Sequence, residues 1–468
     1  MGKVRLFGFY FPLLFLVLAA VEVCLIIGSV ILAAAIRFNG ELSSVFRALG
    51  PVDYRAIPIA LVLVLSLAAM GLYQTHFREG FTGQVLRVLV ASLLGWAILA
   101  LLYYLIPTLY IGRGVAALAF IFSMLAICLF RPLFFSLVNL DSLKPRVLIF
   151  GAGEKATWII RRLGTRADRR GFCLLGFVDV GGPRHVQGDA PVITLNEPLC
   201  DYIHQHDVDQ IVVAVDDRRN GLPMQDLLQC RLAGVEILEL PTFFERETGA
   251  VALELTDPSW LIFGQGFRRG IILAWVKRGL DILIGAALLV IFSPLILLTA
   301  LAIKLEDGMR TPVVYSQIRV GEKGRLFKLY KLRSMRVDAE RESGACWART
   351  RDDRVTRVGR VIRKLRIDEL PQVLNVLRGD MSFVGPRPER PEFTRDLEQR
   401  IRYYRERSAV KPGVTGWAQL RYPYGASDDD SREKLKYDLF YIKNHNMLFD
   451  ILILLQTVEV VIFGKGAR

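Results

Sequence analysis

Four long apolar stretches in the first third of the chain constrain its fold more than any other feature. They cover residues 11–36, 57–73, 85–106 and 115–138. Each is close to the roughly 20 residues that a helix needs to cross a bilayer. The first is too long for the core of a signal peptide and lacks a small-residue cleavage site, which indicates a retained anchor. The sequence therefore predicts a membrane protein with a four-helix transmembrane bundle over residues 1–144.

Cations between these stretches indicate the orientation of the bundle. Six would flank the side of the amino terminus: Lys3, Arg5, Arg78, Arg131, Lys144 and Arg146. Four would flank the other side: Arg37, Arg47, Arg55 and Arg113. This modest excess favours a cytoplasmic amino terminus, and an even number of spans returns the rest of the chain to the same side.

The net charge indicates which class of partner the chain binds, and the cysteine pattern indicates which kind of site it lacks. The 60 Lys and Arg residues outnumber the 46 Asp and Glu residues, which favours phosphates, nucleotides or acidic lipid head groups. Nucleic acid fits the sign of the charge, but it does not explain the apolar stretches, and the sequence has no recognition motif for it. The six cysteines form no CxxC pair and have no close histidine, so we expect reduced thiols and no zinc site.

Residues 145–265 alternate between strand and helix patterns, which predicts a doubly wound, Rossmann-like α/β domain. The clearest elements are a strand, a helix and a further strand at 147–150, 157–163 and 210–215. Gly151 and Gly153 belong to a GxGxxA form of the dinucleotide fingerprint, and Asp179 is the acid about one strand later. Nucleotide or NAD binding is one interpretation. A scaffold without a ligand is favoured, because no Tyr-x-x-x-Lys or other redox apparatus follows.

A fifth apolar segment, near residues 280–304, is interrupted by Ser293 and Pro294. A full crossing would put the α/β domain and the basic carboxy-terminal region on opposite faces of the membrane. A helix bent at this proline could enter the bilayer and return to the same face, with the serine satisfying part of the freed backbone. A straight span with a tolerated proline is the alternative. Residues 448–463 predict an apolar helix that lies in the membrane interface.

The region between these two membrane elements is strongly basic. Residues 317–335 and 353–360 combine cations with glycines, and the basic segment 363–372 follows directly. Arginine offers a planar fork of donors to phosphate oxygens, and glycine lets backbone N–H groups approach. These segments predict a polyphosphate site, with a surface that only contacts anionic lipid as the alternative.

Asp368 and Glu369 lie in the third basic segment. Pro371 suits the first position of a helix over 372–377, so the two carboxylates are predicted at or just before its amino terminus, where the dipole favours anions. Adjacent side chains at a turn point in different directions, so one can attack phosphorus while the other holds Mg²⁺. Plain helix capping is the alternative.

The order of motifs in this region resembles the bacterial sugar transferase family, the monotopic polyprenyl-phosphate glycosyl-1-phosphate transferases. The matching segments are residues 331–335, 363–372, 375–388 and 411–419. The layout of the whole chain resembles the large members that initiate exopolysaccharide, capsule or O-antigen repeat units on undecaprenyl phosphate. The resemblance implies a mainly α catalytic domain over 266–468 with a re-entrant membrane helix.

The resemblance also implies roles for individual residues. Asp368 matches the catalytic nucleophile, Glu369 matches the magnesium-coordinating acid, and Arg363 matches a cation for a phosphate of the lipid or the nucleotide. Five more residues are expected to bind substrate phosphate, Asp438 by a looser match than the others: Lys331, Arg333, Pro386, Arg387 and Asp438.

The implied reaction has two steps. Asp368 attacks the β-phosphate of a UDP-sugar and releases UMP, and undecaprenyl phosphate then attacks the sugar-phosphoryl aspartate. Mg²⁺ and the arginines would offset the developing charge. Such a reaction places the catalytic domain on the cytoplasmic face of a bacterial inner membrane, among membrane lipids. The extra domains offer surface for a homodimer, and no residue specifies the sugar.

Two other functions stay open on the sequence alone. A nicotinamide-dependent nucleotide-sugar dehydratase or epimerase would need catalytic Tyr and Lys residues after the fingerprint, and the sequence has none at helical spacing. A non-enzymatic membrane assembly factor would use the basic region only to dock on lipid.

Overall fold

The computed structural model describes residues 3–6, 9–38, 52–73, 81–137, 144–163, 171–179, 191–216, 222–256, 266, 270–336, 354–422 and 427–462. The chain folds as two compact units. One comprises residues 1–6 and 10–261, and the other comprises residues 7–9 and 262–468.

The first unit begins with two short strands, Lys3–Leu6 (β1) and Phe9–Pro12 (β2), and a bundle of four helices. The helices are Leu13–Arg37 (α1), Val52–Ala69 (α2), Phe81–Leu105 (α3) and Arg113–Leu137 (α4). Helix α1 packs on α2 and α4, and α3 packs on the same two helices, so the bundle closes on itself. The predicted four-helix bundle is confirmed. By length and composition, α1, α3 and α4 could each cross a membrane within their described residues, whereas α2 is shorter and contains Pro58.

A buried ion pair lies inside this bundle. Glu22 on α1 is fully buried and accepts two hydrogen bonds from Arg131 on α4, at 2.6 Å to Oε1 and 3.0 Å to Oε2. The Tyr73 hydroxyl donates to the same Oε2. The sequence placed Arg131 among the cations that flank the bundle, but its side chain is only 4% exposed and pairs within the bundle.

Arg131 and a second buried arginine, Arg87, satisfy carbonyl groups in the turn that follows α2. A carbonyl outside a helix cannot stay unbonded in an apolar environment. Arg87 donates to the Met70 carbonyl at 2.9 Å, and Arg131 donates to the Leu72 carbonyl at 3.0 Å. Side chains from the two neighbouring helices therefore cap the chain just after Ala69.

The α/β domain follows in the same unit and contains a parallel five-stranded sheet in the order β5-β4-β3-β6-β7. Its strands are Arg146–Phe150 (β3), Cys173–Val178 (β4), Val192–Ile193 (β5), Gln210–Val213 (β6) and Glu236–Glu239 (β7). Its helices are Glu154–Arg162 (α5), Leu199–Gln205 (α6), Met224–Leu232 (α7) and Leu240–Thr248 (α8). Such a sheet is covered on both faces, so its central strands are continuous apolar runs. The predicted Rossmann-like domain is confirmed.

The second unit is mainly helical. Its helices are Ile271–Asp307 (α9), Arg357–Lys364 (α10), Gln372–Arg378 (α11), Pro391–Arg400 (α12), Trp417–Arg421 (α13), Asp428–Asn444 (α14) and Met447–Ile462 (α15). Val314–Val320 (β8) and Leu326–Leu332 (β9) form an antiparallel hairpin. Ser382–Val384 (β10) and Gly413–Thr415 (β11) form a short parallel pair.

Helix α9 contains Ser293 and Pro294 within one continuous helix of 37 residues. The Ser293 hydroxyl donates to the Val290 carbonyl at 2.9 Å, which satisfies part of the backbone near the proline. Val290 and Ile291 are mostly exposed, as expected for an apolar segment that meets lipid.

Both halves of α9 pack against the rest of the second unit. In the first half, a methyl group added at Gly285 would lie 3.0 Å from Leu377. In the second half, Ile296 and Ile303 pack in a cluster with Ile362. The helix rises by 11 steps from Gly285 to Ile296, which is only about 16 Å and well short of the roughly 30 Å of a hydrocarbon core. These contacts favour the bent, re-entrant interpretation, which stays a prediction.

Helix α15 is less exposed than the sequence suggested. Asp450 pairs with Lys277 on α9 and accepts a hydrogen bond from the Tyr441 hydroxyl at 2.8 Å. Phe449 and Gln456 are buried. One face of α15 therefore belongs to the core of the unit, which limits the predicted interfacial helix to its remaining faces.

Candidate active site

Asp368 and Glu369 lie in a single 3-10 turn, Ile367–Glu369, between α10 and α11. Arg366 enters this turn in the left-handed conformation, with φ at 54°. Pro371 precedes the first residue of α11, so the predicted position just before a helix amino terminus is confirmed. The turn separates the two side chains into different surroundings.

Two cations hold the Glu369 carboxylate. Lys331 Nζ donates to Oε1 at 2.9 Å, and Arg387 donates to the same Oε1 at 2.8 Å. Burial alone would raise the pKa of Glu369, but Lys331 and Arg387 outweigh it and hold that pKa well below its usual range. Glu369 is therefore ionised, and no described side chain donates to its Oε2.

Asp368 differs from its neighbour in having no hydrogen-bond partner among the described residues. The residue is only 9% exposed, and among the described residues none donates a hydrogen bond to its carboxylate. Burial raises the pKa of Asp368, and the charge of Glu369 adds to this effect, while Lys331 and two arginines oppose it. A poorly solvated carboxylate without a partner is well suited to attack an electrophile.

Lys331 reaches Glu369 from the β8–β9 hairpin, and Asn375 fixes the hairpin against α11. Asn375 is fully buried; its Nδ2 donates to the Lys328 carbonyl at 2.7 Å, and its Oδ1 accepts from the Tyr330 backbone at 3.1 Å. The sequence prediction missed this residue. The signal available was one amide within the apolar run from Val373 to Leu377.

Arg387 reaches Glu369 from the turn that follows β10. The Gly385 amide donates to the Thr415 carbonyl, and the Gly413 amide donates to the Pro386 carbonyl, both at 2.9 Å. A Cβ at Gly385 would lie 2.3 Å from the Lys411 carbonyl oxygen, so only glycine fits this close approach. Pro386 is buried in this turn, where its carbonyl accepts the Gly413 amide, and its predicted role in phosphate binding stays a prediction.

Asp438 lies behind this turn. Its carboxylate accepts from Arg407 at 3.0 Å, and the same Arg407 nitrogen donates to the Arg387 carbonyl at 3.0 Å. Burial, which is almost complete, raises the pKa of Asp438 to about 6 despite the opposing charge of Arg407. Asp438 is thus linked to Arg387 through Arg407, a residue that the sequence prediction missed.

The other predicted site residues vary in their distance from the pair. Arg363, in the last turn of α10, is near enough to Asp368 for its charge to lower that pKa. Arg333 donates its Nε to the Pro312 carbonyl at 2.8 Å and has no contact with either carboxylate within the described part of the chain. Gly151, Gly153 and Asp179 belong to the other unit.

The carboxylate pair is a reasonable ligand set for Mg²⁺. The described residues contain no group of three or more His, Cys, Asp or Glu side chains that could hold a metal. Mg²⁺, however, commonly binds through one or two carboxylates and completes its shell with water and substrate phosphates. The Oε2 of Glu369, to which no described side chain donates, is an acceptor of the kind that such a shell uses.

Comparison with known proteins gives two family matches. Residues 272–464 match the model of the bacterial sugar transferase family, and residues 68–226 match a model described as a CoA-binding domain. The first match contains the whole candidate site.

Several curated relatives align with the chain. The UDP-N-acetylgalactosamine-undecaprenyl-phosphate N-acetylgalactosaminephosphotransferase of Aeromonas hydrophila is 43% identical over 253 residues, which are 54% of this chain and 58% of the relative. The undecaprenyl-phosphate glucose phosphotransferase of Komagataeibacter xylinus is 35% identical over 69% of this chain and 60% of the relative. The chain thus spans about three fifths of the length of these two relatives.

A shorter relative is covered almost completely. The exopolysaccharide production protein PSS of Rhizobium leguminosarum bv. phaseoli is 38% identical over 197 residues, which are 41% of this chain and 98% of the relative. This coverage and the match of residues 272–464 place the chain in a family: it belongs to the bacterial sugar transferases.

Proposed function

We propose that the chain transfers a sugar-1-phosphate from a UDP-sugar to undecaprenyl phosphate. The products are undecaprenyl-diphosphate-sugar and UMP, and the reaction is the first membrane step of exopolysaccharide, capsule or O-antigen synthesis. The observation that carries this proposal is the difference in surroundings between the carboxylates of residues 368 and 369. Glu369 is fixed by two cations, while the buried Asp368 has no partner among the described residues.

The first step forms a bond between an Asp368 oxygen and the β-phosphorus of the UDP-sugar. The bond between that phosphorus and the oxygen of UMP breaks, and UMP leaves with the electron pair. In the second step, an oxygen of undecaprenyl phosphate attacks the same phosphorus and releases the Asp368 carboxylate. Two displacements of this kind replace one direct transfer between two anions.

The cations position phosphate and offset its charge. Phosphoryl transfer depends mainly on positioning and electrostatic stabilisation. Lys331 and Arg387 present their charge at Glu369, and Arg363 presents its charge near Asp368. Glu369 would hold Mg²⁺, which when bound supplies charge neutralisation for the phosphate oxygens. None of these residues needs to carry a proton, because the lipid phosphate is already an anion.

The location of the site supports the same proposal. A soluble nucleotide sugar and a lipid phosphate can meet only at a membrane surface. Helix α9 has an exposed apolar middle, and both its halves pack on the unit that carries Asp368. We propose that this unit faces the cytoplasm at the inner membrane.

A double-label assay tests the reaction. The full-length chain in nanodiscs is incubated with Mg²⁺, undecaprenyl phosphate and UDP-sugars labelled with ³²P in the β-phosphate and ¹⁴C in the sugar. We expect both labels in the lipid in equal amounts, with release of UMP. Transfer of ¹⁴C alone with release of UDP would contradict the proposal. The relatives are named for different sugars, so the donor panel includes glucose, galactose and their N-acetylamino forms.

A second assay tests the covalent step. Without the lipid acceptor, radiolabelled UMP should exchange into the UDP-sugar, since the first step is reversible. The protein should also retain ³²P in a form that hydroxylamine removes, as expected for an acyl phosphate. Transfer to lipid without exchange or protein labelling would indicate a direct displacement instead.

A further inference from the structure

The α/β domain contains a turn that usually binds phosphate. In dinucleotide-binding folds, a glycine-rich turn leads from the first strand into a helix, and the pyrophosphate sits against the free N–H groups of that helix. Here β3 ends at Phe150, the turn contains Gly151 and Gly153, and α5 begins at Glu154. The backbone therefore presents the expected cradle for an anion.

A carboxylate of the chain itself occupies this position. Asp216 follows β6, the strand beside β3 in the sheet. Its Oδ2 accepts from the Glu154 amide at 2.8 Å, and its Oδ1 accepts from the Lys155 amide at 3.0 Å. Both oxygens thus bond the amides that a pyrophosphate would use.

The fingerprint glycines are explained by this internal contact. A Cβ at Gly153 would lie 1.9 Å from Asp216 Oδ2, so the carboxylate itself requires a glycine there. Gly151 has a φ of 122°, and a Cβ on it would lie 2.7 Å from the Ala214 carbonyl oxygen. The packing of the turn requires both glycines, without any ligand.

The Lys155 side chain also bonds the segment that carries Asp216. Its Nζ donates to the Val215 carbonyl at 2.9 Å and to the Asp216 carbonyl at 3.2 Å. The side-chain cation that could contact a bound phosphate is instead turned towards the backbone that carries the carboxylate.

We infer that Asp216 is the built-in ligand of this cradle and that the α/β domain does not hold the pyrophosphate of coenzyme A or a dinucleotide. A diphosphate in the turn would meet the Asp216 carboxylate as a like charge. It would also have to replace two hydrogen bonds from Asp216 to backbone amides, a charge-assisted type that is stronger than neutral ones. This inference concerns a domain whose matched family model is described as CoA-binding, and it is independent of the transferase chemistry.

Hydrogen exchange on the full-length chain in nanodiscs tests the internal ligand. In Asp216→Ala, the amides of Glu154 and Lys155 lose their acceptor, and we expect them to exchange at least about tenfold faster. Asp209→Ala is the matched control. Asp209 accepts from the Arg146 amide at 2.7 Å on the same sheet, so its loss should leave the amides at 154 and 155 unchanged.

Binding measurements complete the test. Coenzyme A, NADH and inorganic pyrophosphate are titrated separately into the wild-type chain, and no protection of the amides of residues 154 and 155 is expected at millimolar concentration. Pyrophosphate should slow exchange at residues 154 and 155 only in Asp216→Ala, where the cradle is vacant. Submillimolar binding to the wild type at these amides, or unchanged exchange in Asp216→Ala, would overturn the inference. Asp216→Asn keeps the shape and one acceptor, and its expected intermediate exchange rate distinguishes a lost charge from a lost fold.

Discussion

Two carboxylates are each held by an arginine and one further donor: the fully buried Glu22 in the helix bundle and the partly buried Glu369 in the second unit. At Glu22, Arg131 bonds both oxygens and Tyr73 adds another bond. At Glu369, Lys331 and Arg387 both bond Oε1. The first carboxylate has a protein donor on each oxygen, whereas the second keeps one oxygen without a donor from the described residues.

This difference fits a structural role for Glu22 and the chemical role that we propose for Glu369. Burying a charge is costly unless it is paired and hydrogen-bonded, and Glu22 meets both conditions inside the bundle. Glu369 is paired on one side only and stands next to Asp368, whose carboxylate lacks any donor among the described residues. A site with unused acceptors can take a substrate or a metal, and a site without them can only hold helices together.

The largest expected effect comes from replacing the unpartnered carboxylate. Asp368→Asn should reduce transfer by about 10⁴-fold, the order found when an enzyme loses a central catalytic group. The melting temperature should not fall, because the change removes a buried charge that has no partner among the described residues. Asp396→Asn, on the exposed face of α12, is the control and should keep normal turnover. Turnover within tenfold of normal in Asp368→Asn would refute the covalent role.

Glu22→Ala should lower the stability of the protein and leave its turnover unchanged, the reverse of Asp368→Asn. Removing one partner of a buried ion pair leaves Arg131 uncompensated and typically costs about 3–5 kcal/mol. We expect the SDS fraction that half-unfolds the bundle to fall sharply, while the remaining folded protein keeps its kcat. Replacing both partners, with Glu22→Leu and Arg131→Met, should recover part of the loss. A fall in kcat at unchanged stability would contradict a purely structural role for Glu22.

The cations at Glu369 should have an intermediate effect. Lys331→Met and Arg387→Met should each lower transfer by about 10²-fold, the cost of one well-placed donor for developing charge. Arg333→Met is the matched control from the same strand end, since its Nε bonds the Pro312 carbonyl. That variant should stay within about threefold of normal, as surface substitutions usually do. Equal losses in all three variants would mean that the total positive charge of the region matters rather than contact with Glu369.

The smallest expected effect concerns pH. Asp438 has a pKa raised to about 6, so it is ionised and holds Arg407 above that pH and loses its charge below it. Activity that depends on this pair should be complete near pH 7 and fall as the pH drops through about 6. The folded chain binds this proton more tightly than the unfolded chain, so stability from Asp438 should change in the opposite direction and rise towards acid pH.

Asp438→Asn isolates that contribution. Its transfer rate should be about fivefold lower near pH 7, the cost of roughly 1 kcal/mol, and should lack the step near pH 6. The profiles of kcat/KM against pH for the two proteins provide the measurement. A wild-type profile without a step between about pH 5 and 7 would show that the charge of Asp438 does not affect Arg387 through Arg407.

Local patterns in the sequence predicted the elements of the fold well. The first strand of the sheet was expected at 147–150 and covers Arg146–Phe150, and Pro371 correctly indicated the start of α11. These features depend on neighbouring residues: apolar runs identify buried strands, and proline identifies a helix start. The position of the two carboxylates at a turn followed from the same local signals.

Partners distant in the sequence could not be predicted. Asp216 bonds amides more than 60 residues away, and Arg131 reaches Glu22 across 109 residues. Such pairs depend on which strands or helices become neighbours and in what register, and a single sequence does not encode this in any local pattern. Arg407 and Asn375 were missed for the same reason, because each connects elements that only tertiary packing brings together.

Helix α9 also has a consequence for how the protein is assembled. Because both halves of this helix are packed into the catalytic unit, the depth of the reactive turn in the membrane would be set within that unit. Helix α9 alone would then set that depth, and neither the amino-terminal bundle nor the α/β domain would need to define it. A catalytic unit of this kind can be combined with different accessory domains without losing its reach to lipid. The short Rhizobium relative, 98% of which aligns with 41% of this chain, is consistent with such modularity.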